Sequence, residues 1–198
     1  MLRKLSVLIF VLFLVGSSVG ADDYWDYLSP KYGVNAWSKN FPACSGRQQS
    51  PIDIKNPTYN NLGDIQFTNY GTIPSSVVQT VTNNGHTYSI SFKNFPNGEV
   101  PTISNGGLPG TFQLAGMHFH WGDDNSRGSE HHVNNTAYPA ELHAVHLNTK
   151  YSSVSDGLKN ADGLAVLGVL IERGQYNPNY NFLNLTTNNV TYPDMKSN

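Results

Sequence analysis

TFQLAGMHFHW, residues 111–121, places two histidines one residue apart among apolar and aromatic neighbours. In a β-strand successive side chains point to opposite faces, so His118 and His120 would share one face and their apolar neighbours the other. The chain contains only seven histidines, which makes a pair at this spacing informative. The pattern predicts a strand with one packed apolar face and one face that presents two parallel imidazoles.

The sequence on either side of this strand also predicts short strands separated by turns. Residues 76–92, SVVQTVTNNGHTYSISF, contain two β-branched or aromatic runs around Asn-Asn-Gly, which indicates a hairpin because Asn and Gly accept positive φ. AELHAVHLN (140–148) is predicted to be a strand. GLAVLGVLIE (163–172) is a continuous apolar run, typical of a strand buried on both faces. The predicted fold class is mainly β.

Helix signals are few, and nothing divides the chain into several domains. SVSDGLKNA (153–161) is predicted to form one or two helical turns, and Asn177-Pro178 to begin a short helix that runs to Asn188. No internal repeat or charged linker interrupts residues 22–175. Residues 22–198 are therefore predicted to form one domain, as expected for a chain of ~100–200 residues.

The first 21 residues have the pattern of a secretory signal peptide. Arg3 and Lys4 precede an apolar run over residues 5–15, and small residues follow over 16–21. The apolar run is shorter than the ~20 residues that a stable membrane span needs. The sequence therefore predicts a secreted protein, which glycosylation sequons within the predicted domain also fit. These sequons are at Asn134, Asn184 and Asn189.

Composition excludes one large class of partner and raises a question about the single cysteine. A net charge of −2 with 13% charged residues offers no basic surface for nucleic acid. Cys44 is the only cysteine, which is unusual in an oxidising compartment. It is either a thiol whose partner is missing or intermolecular, or a small buried core residue.

A third histidine is placed to join the pair. In residues 140–148 the alternation puts Glu141 and His143 on one face, and the polar segment 122–139 lets this strand return antiparallel beside the first. Facing residues on paired strands have Cβ atoms ~5 Å apart, so His118, His120 and His143 can converge on one ion. Three neutral nitrogens with one open position suit a catalytic Zn²⁺.

The histidines also allow two other interpretations, as ordinary core or surface residues and as ligands of a cupin barrel. A lone strand histidine is ordinarily a core or surface residue, which is the interpretation of His131, His132 and His146. Cupin barrels also carry a His-x-His pair, followed within a few residues by a glutamate ligand. Here positions 123 and 124 are aspartates and the next glutamate is Glu130, which argues against a cupin.

Several blocks, in order, make the chain resemble the α-class carbonic anhydrases over nearly all of residues 22–198. The resemblance implies a central, twisted, mostly antiparallel sheet with few short helices and zinc in a conical cleft. It also implies reversible hydration of carbon dioxide to bicarbonate and a proton. The matching blocks are SGRQQSPIDI (45–54), NNGH (83–86), HFHWG (118–122), GSEH (128–131), AELHAVHLNTKY (140–151) and DGLAVLGV (162–169).

Carried over position by position, the resemblance assigns a zinc centre and a proton path. The implied zinc ligands are His118, His120 and His143. Glu141 would hold the other ring nitrogen of His143 and so fix its tautomer. His86 matches the histidine that carries protons between the site and solvent.

The remaining implied positions shape the cleft. Val145 and Val166 match residues that line the apolar carbon dioxide pocket. Tyr27 and Asn84 match polar residues that order the cleft waters. Glu130 matches the carboxylate that orients a threonine hydroxyl, which in turn accepts a hydrogen bond from the zinc-bound hydroxide.

The chain departs from the family pattern in two places. Gly116 stands where family members usually have a glutamine that bonds the first zinc histidine. After residue 174 the family motifs stop, so the expected domain is incomplete, without the C-terminal strands, the threonine and the cysteine that pairs with Cys44 in secreted members. This predicts weak activity, and leaves a secreted, non-enzymatic carbonic-anhydrase-like binding protein as the alternative. The retention of all three histidines favours the enzyme.

Overall fold

The computed structural model describes residues 7–10, 24–178 and 196–197, and the elements within them are mainly strands. The helices are α1 (Val34–Asn40) and α2 (Val154–Gly157), with single 3₁₀ turns at Pro42–Ser45 and Pro96–Gly98. The strands are β1 (Val7–Phe10), β2 (Asp53–Ile54), β3 (Ile65–Thr68), β4 (Val78–Asn83), β5 (Tyr88–Lys93), β6 (Thr102–Asn105), β7 (Phe112–Trp121), β8 (His132–Val133), β9 (Ala140–Asn148), β10 (Leu164–Ile171) and β11 (Lys196–Ser197).

One large antiparallel sheet organises the described residues. Nine of their strands belong to it, and its main path runs β1-β10-β9-β7-β5-β4-β11. β6 pairs with the first residues of β7 and with β3, while β2 and β8 form a separate parallel pair. The prediction of a mainly β, mostly antiparallel fold with few short helices is confirmed. β7 and β9, which carry the histidines, lie at the centre of the sheet.

The apolar core lies largely on the face of the sheet that is opposite to His143. Burying one such side chain contributes about 1.5–3 kcal/mol, so this cluster holds the central strands rigidly. β10 is buried along most of its length, as its continuous apolar run predicts. The buried residues of the main cluster are Ile103, Phe112, Leu114, Ala144, Ala165 and Leu167.

The predicted hairpin is present and its turn is built by the two asparagines. β4 ends at Asn83 and β5 begins at Tyr88, with Gly85 at φ +85°. The Asn83 Oδ1 accepts a hydrogen bond from the Gly85 N–H at 3.0 Å. The Asn84 Oδ1 accepts hydrogen bonds from the backbone N–H groups of His86 and Thr87, at 3.0 and 2.9 Å. This turn sets His86 two residues before the start of β5.

The predicted helices have different outcomes. Residues 153–161 were expected to hold one or two turns, and α2 occupies Val154–Gly157, where the Ser153 hydroxyl accepts the Asp156 N–H at 3.1 Å. The helix predicted from Asn177 to Asn188 lies almost wholly outside the described residues. α1 was not predicted, because it has no buried residue and no side-chain N-cap to mark it in the sequence.

The predicted signal peptide overlaps β1. The backbone of Val7–Phe10 pairs with the outer edge of β10, with Val7 opposite Val169 and Phe10 opposite Val166. This pairing shows only how one edge of the sheet is formed. It does not test whether a leader is cleaved, so the signal peptide stays a prediction. None of the helices in the described ranges is long and apolar enough to span a membrane.

His146 is a polar residue inside the apolar core, and it predicts a pH-dependent stability. Its side chain is fully buried and its Nε2 is hydrogen-bonded to the Tyr70 hydroxyl. Burial lowers the His146 pKa from 6.5 to about 4. Because the depressed pKa lies below that of the unfolded chain, the stability that neutral His146 contributes is complete above pH 6.5 and is lost as the pH falls toward 4.

We therefore expect the His146→Gln variant, which cannot titrate but can still bond Tyr70, to lose less stability on acidification than the wild type. The difference should be about 2.5 kcal/mol between pH 7 and pH 4.5. Urea unfolding of both proteins at the two pH values, with zinc present, measures it. Equal acid sensitivity of the two proteins would contradict the assignment.

Candidate metal centre

The sheet register brings three imidazoles together on one face. On β7 and β9, His118 lies directly opposite His143, and His120 lies opposite Glu141. Directly opposed residues on antiparallel strands stand close enough for their side chains to meet. The ring centroids of His118, His120 and His143 lie 4.8–5.1 Å apart, and one nitrogen from each lies within 4.8 Å of the other two.

The nitrogens that face one another are suited to a cation. The Nδ1 of His143 lies 3.2 Å from the Nε2 of His118. The Nε2 of His120 is buried and has no hydrogen-bond partner among the described residues. A buried nitrogen without a partner costs about 1–3 kcal/mol, a cost that a metal ion at this point would remove. The donor set, three imidazoles without a thiolate, fits the Zn²⁺ that the sequence analysis predicts.

The environment keeps two of these rings neutral, which is the form that binds a metal. Burial, and then the nearby His143, lowers the pKa of His118 from 6.5 to about 4. Burial, followed by His143 and His118, lowers the pKa of His120 to about 3. Both imidazoles are therefore unprotonated at neutral pH, with lone pairs available.

Glu141 is the buried centre of the hydrogen bonding behind the histidines. Its side chain is 0% exposed. The Oε1 accepts the Nε2–H of His143 at 2.7 Å and the Nδ1–H of His131 at 2.7 Å, while the Oε2 accepts the His131 backbone N–H at 2.8 Å. Burial acts to raise the pKa of Glu141, but the hydrogen bonds from His131 and His143 outweigh it and hold the pKa well below its usual range.

Glu130 lies against the ligand nitrogens themselves. Its Oε2 is 3.4 Å from the Nε2 of His120 and 3.9 Å from the Nδ1 of His143. Burial raises the pKa of this carboxyl. Within the described part of the chain no threonine hydroxyl is hydrogen-bonded to it, so the predicted role of Glu130 in orienting a threonine stays a prediction.

A cleft of about 270 Å³ opens onto the three-histidine cluster. His86 lies at this cleft and not among the ligand nitrogens, and its ring stacks on Trp25 with centroids 4.1 Å apart. Partial burial, and then the charge of Glu130, raises the pKa of Tyr27 to about 12. The cleft is lined by Trp25, Tyr27, Asn84, His86, Thr87, Ser89, His118 and His120.

The two predicted pocket valines lie next to each other but not in this cleft. Val145 on β9 is directly opposite Val166 on β10, and both are on the face of the sheet that carries His143. Neither is among the residues that line the cleft. Their part in a carbon dioxide pocket therefore stays a prediction.

Gly116 borders a bulge on β7, two residues before the first histidine of the pair. The register between β7 and β9 shifts between Leu114 and Gly116, so that Gly116 lies opposite Val145. A Cβ at this position would lie 3.1 Å from the Ile90 carbonyl oxygen, which is closer than ordinary contact. Gly116 therefore cannot bond His118 as the glutamine of the family pattern would. A larger residue at position 116 would need a small shift of β5.

Two residues that support the site were not identified from the sequence. Thr87 fastens the strand between the paired histidines: its hydroxyl donates to the Phe119 carbonyl and accepts the Phe119 N–H at 3.1 Å. His131, interpreted as an ordinary core or surface histidine, is 1% exposed and bonded to Glu141. A polar residue just before β5 and a histidine inside a loop carry no periodic signal, so only their contacts in the folded chain reveal them.

Comparison with known proteins identifies the family of the chain. The family model of eukaryotic-type carbonic anhydrases matches residues 32–198, and the chain belongs to that family. It is 41% identical over 155 residues to mouse Carbonic anhydrase 1, a match that covers 78% of this chain and 58% of the mouse protein. The chain thus spans less than two thirds of the length of that relative.

Proposed function

We propose that this chain is a zinc-dependent carbonic anhydrase that hydrates carbon dioxide to bicarbonate and a proton. The observation that carries the proposal is the convergence of nitrogens from His118, His120 and His143 beside an open cleft that His118 and His120 line. Zn²⁺ held by these residues supplies the Lewis acidity that makes water nucleophilic near neutral pH, as is established for carbonic anhydrases as a class. The substrates are small molecules, and the composition fits no nucleic-acid partner.

Residues of the chain supply the orientation and the proton path. Glu141 holds the Nε2–H of His143, which leaves the Nδ1 lone pair facing the cluster. The Oδ1 of Asn84 is taken by the turn, so only its amide N–H groups are available to order water in the cleft. Tyr27, with a raised pKa, keeps its hydroxyl hydrogen and can donate it to water.

In this proposal His86 carries protons between the cleft and solvent. Its ring lines the cleft and stacks on Trp25, away from the ligand nitrogens. Histidine exchanges protons readily near neutral pH, which is what such a relay requires.

We expect His86→Ala to slow carbon dioxide hydration in weak buffer about 100-fold, the low end of the ~10²–10⁴-fold that general acid–base groups typically contribute. Zinc content should not change, and small imidazole buffers should restore part of the rate. Stopped-flow hydration assays at low and high buffer concentration measure this. Loss of zinc in His86→Ala, or an unchanged rate in weak buffer, would show that His86 has a different role.

We propose in addition that the protein is secreted, on the evidence of residues 1–21. Among the predicted glycan acceptors, Asn134 is exposed, as an acceptor must be, while Asn184 and Asn189 lie outside the described residues.

Cys44 is exposed, so its interpretation as a buried core residue is wrong. The exposed thiol fits the other interpretation, in which the disulfide partner of Cys44 is missing or belongs to another molecule.

The experiment that tests the function compares the wild type with His120→Ala and with His132→Ala, a histidine outside the cluster. Carbon dioxide hydration and zinc content are measured in parallel. The wild type and His132→Ala should bind close to one zinc and hydrate carbon dioxide, whereas His120→Ala should do neither. Stoichiometric zinc without turnover in the wild type would instead support the non-enzymatic binding protein.

A further inference from the structure

A buried chain of hydrogen bonds runs from the metal centre away from the cleft. The Nε2 of His143 and the Nδ1 of His131 both contact the Oε1 of Glu141, each at 2.7 Å. On the far side of its ring, the Nε2 of His131 lies 3.2 Å from the Ser50 hydroxyl. These hydrogen bonds thus connect His143, the proposed zinc ligand on β9, with Ser50, which is 93 positions earlier in the sequence.

The chemistry of the carboxylate sets the direction of each bond. An ionised carboxylate only accepts hydrogen bonds, so both ring nitrogens that face Glu141 must carry hydrogen. The His143 ring then has its lone pair on Nδ1, the nitrogen that faces His118. The His131 ring has its lone pair on Nε2, which accepts the Ser50 hydroxyl hydrogen. One tautomer is therefore selected at each histidine.

His131 makes most of the contacts that hold the carboxylate. Of the three hydrogen bonds to Glu141, His131 donates two, one from its ring and one from its backbone. His131 is 1% exposed and Glu141 is 0% exposed. Water has little access to replace a lost donor at such a site, so the ring N–H of His131 determines where the Oε1 of Glu141 points.

We propose that His131 is a positioning residue of the metal centre, acting through Glu141 on the tautomer and orientation of His143. The inference rests on the proposed zinc site. Loss of the His131 ring N–H should weaken zinc binding although no ligand is removed, by the ~10–100-fold that partners of metal ligands typically contribute. Ser50, one bond further out, should have a smaller effect.

The same residues allow a competing interpretation as a second metal group. One donor atom from each of His131, Glu141 and His143 lies within 4.8 Å of the others. The two 2.7 Å contacts are, however, ordinary lengths for charge-assisted N–H···O bonds, and hydrogens then occupy the space that an ion would need. A second bound zinc that disappears on substitution of His131 would overturn the proposal.

The experiment compares His131→Leu, which removes the ring donor, with His131→Asn, whose amide N–H stands close to the position of the lost Nδ1–H. Zinc affinity is measured by chelator competition, and unfolding free energy by urea titration of the zinc-free proteins. His132→Leu controls for loss of a neighbouring histidine. His146→Leu controls for loss of a buried histidine on the opposite face of β9.

We expect His131→Leu to bind zinc about 10–100-fold more weakly, His131→Asn to recover most of the affinity, and Ser50→Ala to lose only a few-fold. His146→Leu should lose stability but keep its zinc affinity. Wild-type affinity in His131→Leu, or an equal loss in His146→Leu, overturns the inference while leaving the zinc site intact. A wild type that binds no zinc overturns the proposed function as well.

A spectroscopic readout keeps the inference testable if His131→Leu does not fold. Histidine ¹H–¹⁵N spectra of the wild type should show hydrogen on Nε2 of His143 and on Nδ1 of His131. In Ser50→Ala the His131 Nε2 resonance should shift while both tautomers persist. The opposite tautomer at either ring in the wild type would overturn the inference, because the carboxylate would then lack the donors that it requires.

Discussion

Alanine in place of His118, His120 or His143 is expected to remove most of the bound zinc. The three rings converge from two paired strands, and no other described histidine has a nitrogen in the cluster. Loss of a mere partner of a ligand costs ~10–100-fold in affinity, so loss of a ligand should exceed ~100-fold. Elemental analysis after dialysis against a weak chelator, and calorimetric titration with zinc, measure the effect.

The zinc-free proteins provide the control for this result. Because the Nε2 of His120 is buried without a hydrogen bond, and lies 3.4 Å from the Oε2 of Glu130, His120→Ala should leave the unfolding free energy of the zinc-free chain unchanged or higher. A large loss of stability in that variant would indicate a structural role for the ring. Stoichiometric zinc in the triple variant would contradict the metal centre altogether.

Replacement of Glu141 by alanine is expected to have the second-largest effect, on stability and metal binding together. The substitution leaves three buried N–H groups, two from rings and one from the backbone, without their acceptor. Breaking a buried charged interaction from one side commonly costs about 3–5 kcal/mol. Urea unfolding of the zinc-free variant and zinc titration measure the two losses separately.

Glu141→Gln is the matched control because it keeps the volume and one acceptor oxygen. Its amide N–H₂ must face at least one of the N–H donors, so its stability should fall between those of the wild type and Glu141→Ala. Wild-type stability and zinc affinity in Glu141→Ala would show that the carboxylate does not organise the site.

The parts of the fold that sequence predicts are those with a local rule. Asn83, Asn84 and Gly85 specify the hairpin because their side chains and φ values build the turn. The period-2 alternation places His118 and His120 on one face, and the length of the return segment brings His143 opposite. Each of these rests on strand geometry alone.

The parts that it does not predict depend on contacts between distant segments. Glu141 is also held by His131, which lies in a loop whose sequence has no period. The other side of the His131 ring contacts Ser50, a much earlier residue. The bulge beside Gly116 is a register shift between β7 and β9, and a Cβ on Gly116 would crowd the Ile90 carbonyl on another strand. α1 has neither a buried face nor a capping side chain, and its Trp37 Nε1–H donates to the carbonyls of Asp26 and Tyr32, contacts that no local pattern predicts.

X-ray absorption spectroscopy of the zinc-loaded protein tests the central claim most directly, since scattering from imidazole rings counts the histidine ligands. The site described here predicts three imidazoles with Zn–N distances of ~2.0–2.1 Å and one further light ligand. His120→Ala, loaded at a zinc concentration high enough to offset its weaker binding, should show a lower imidazole count, and His132→Ala should leave it at three. A wild-type spectrum with fewer than three imidazoles would contradict the three-histidine site.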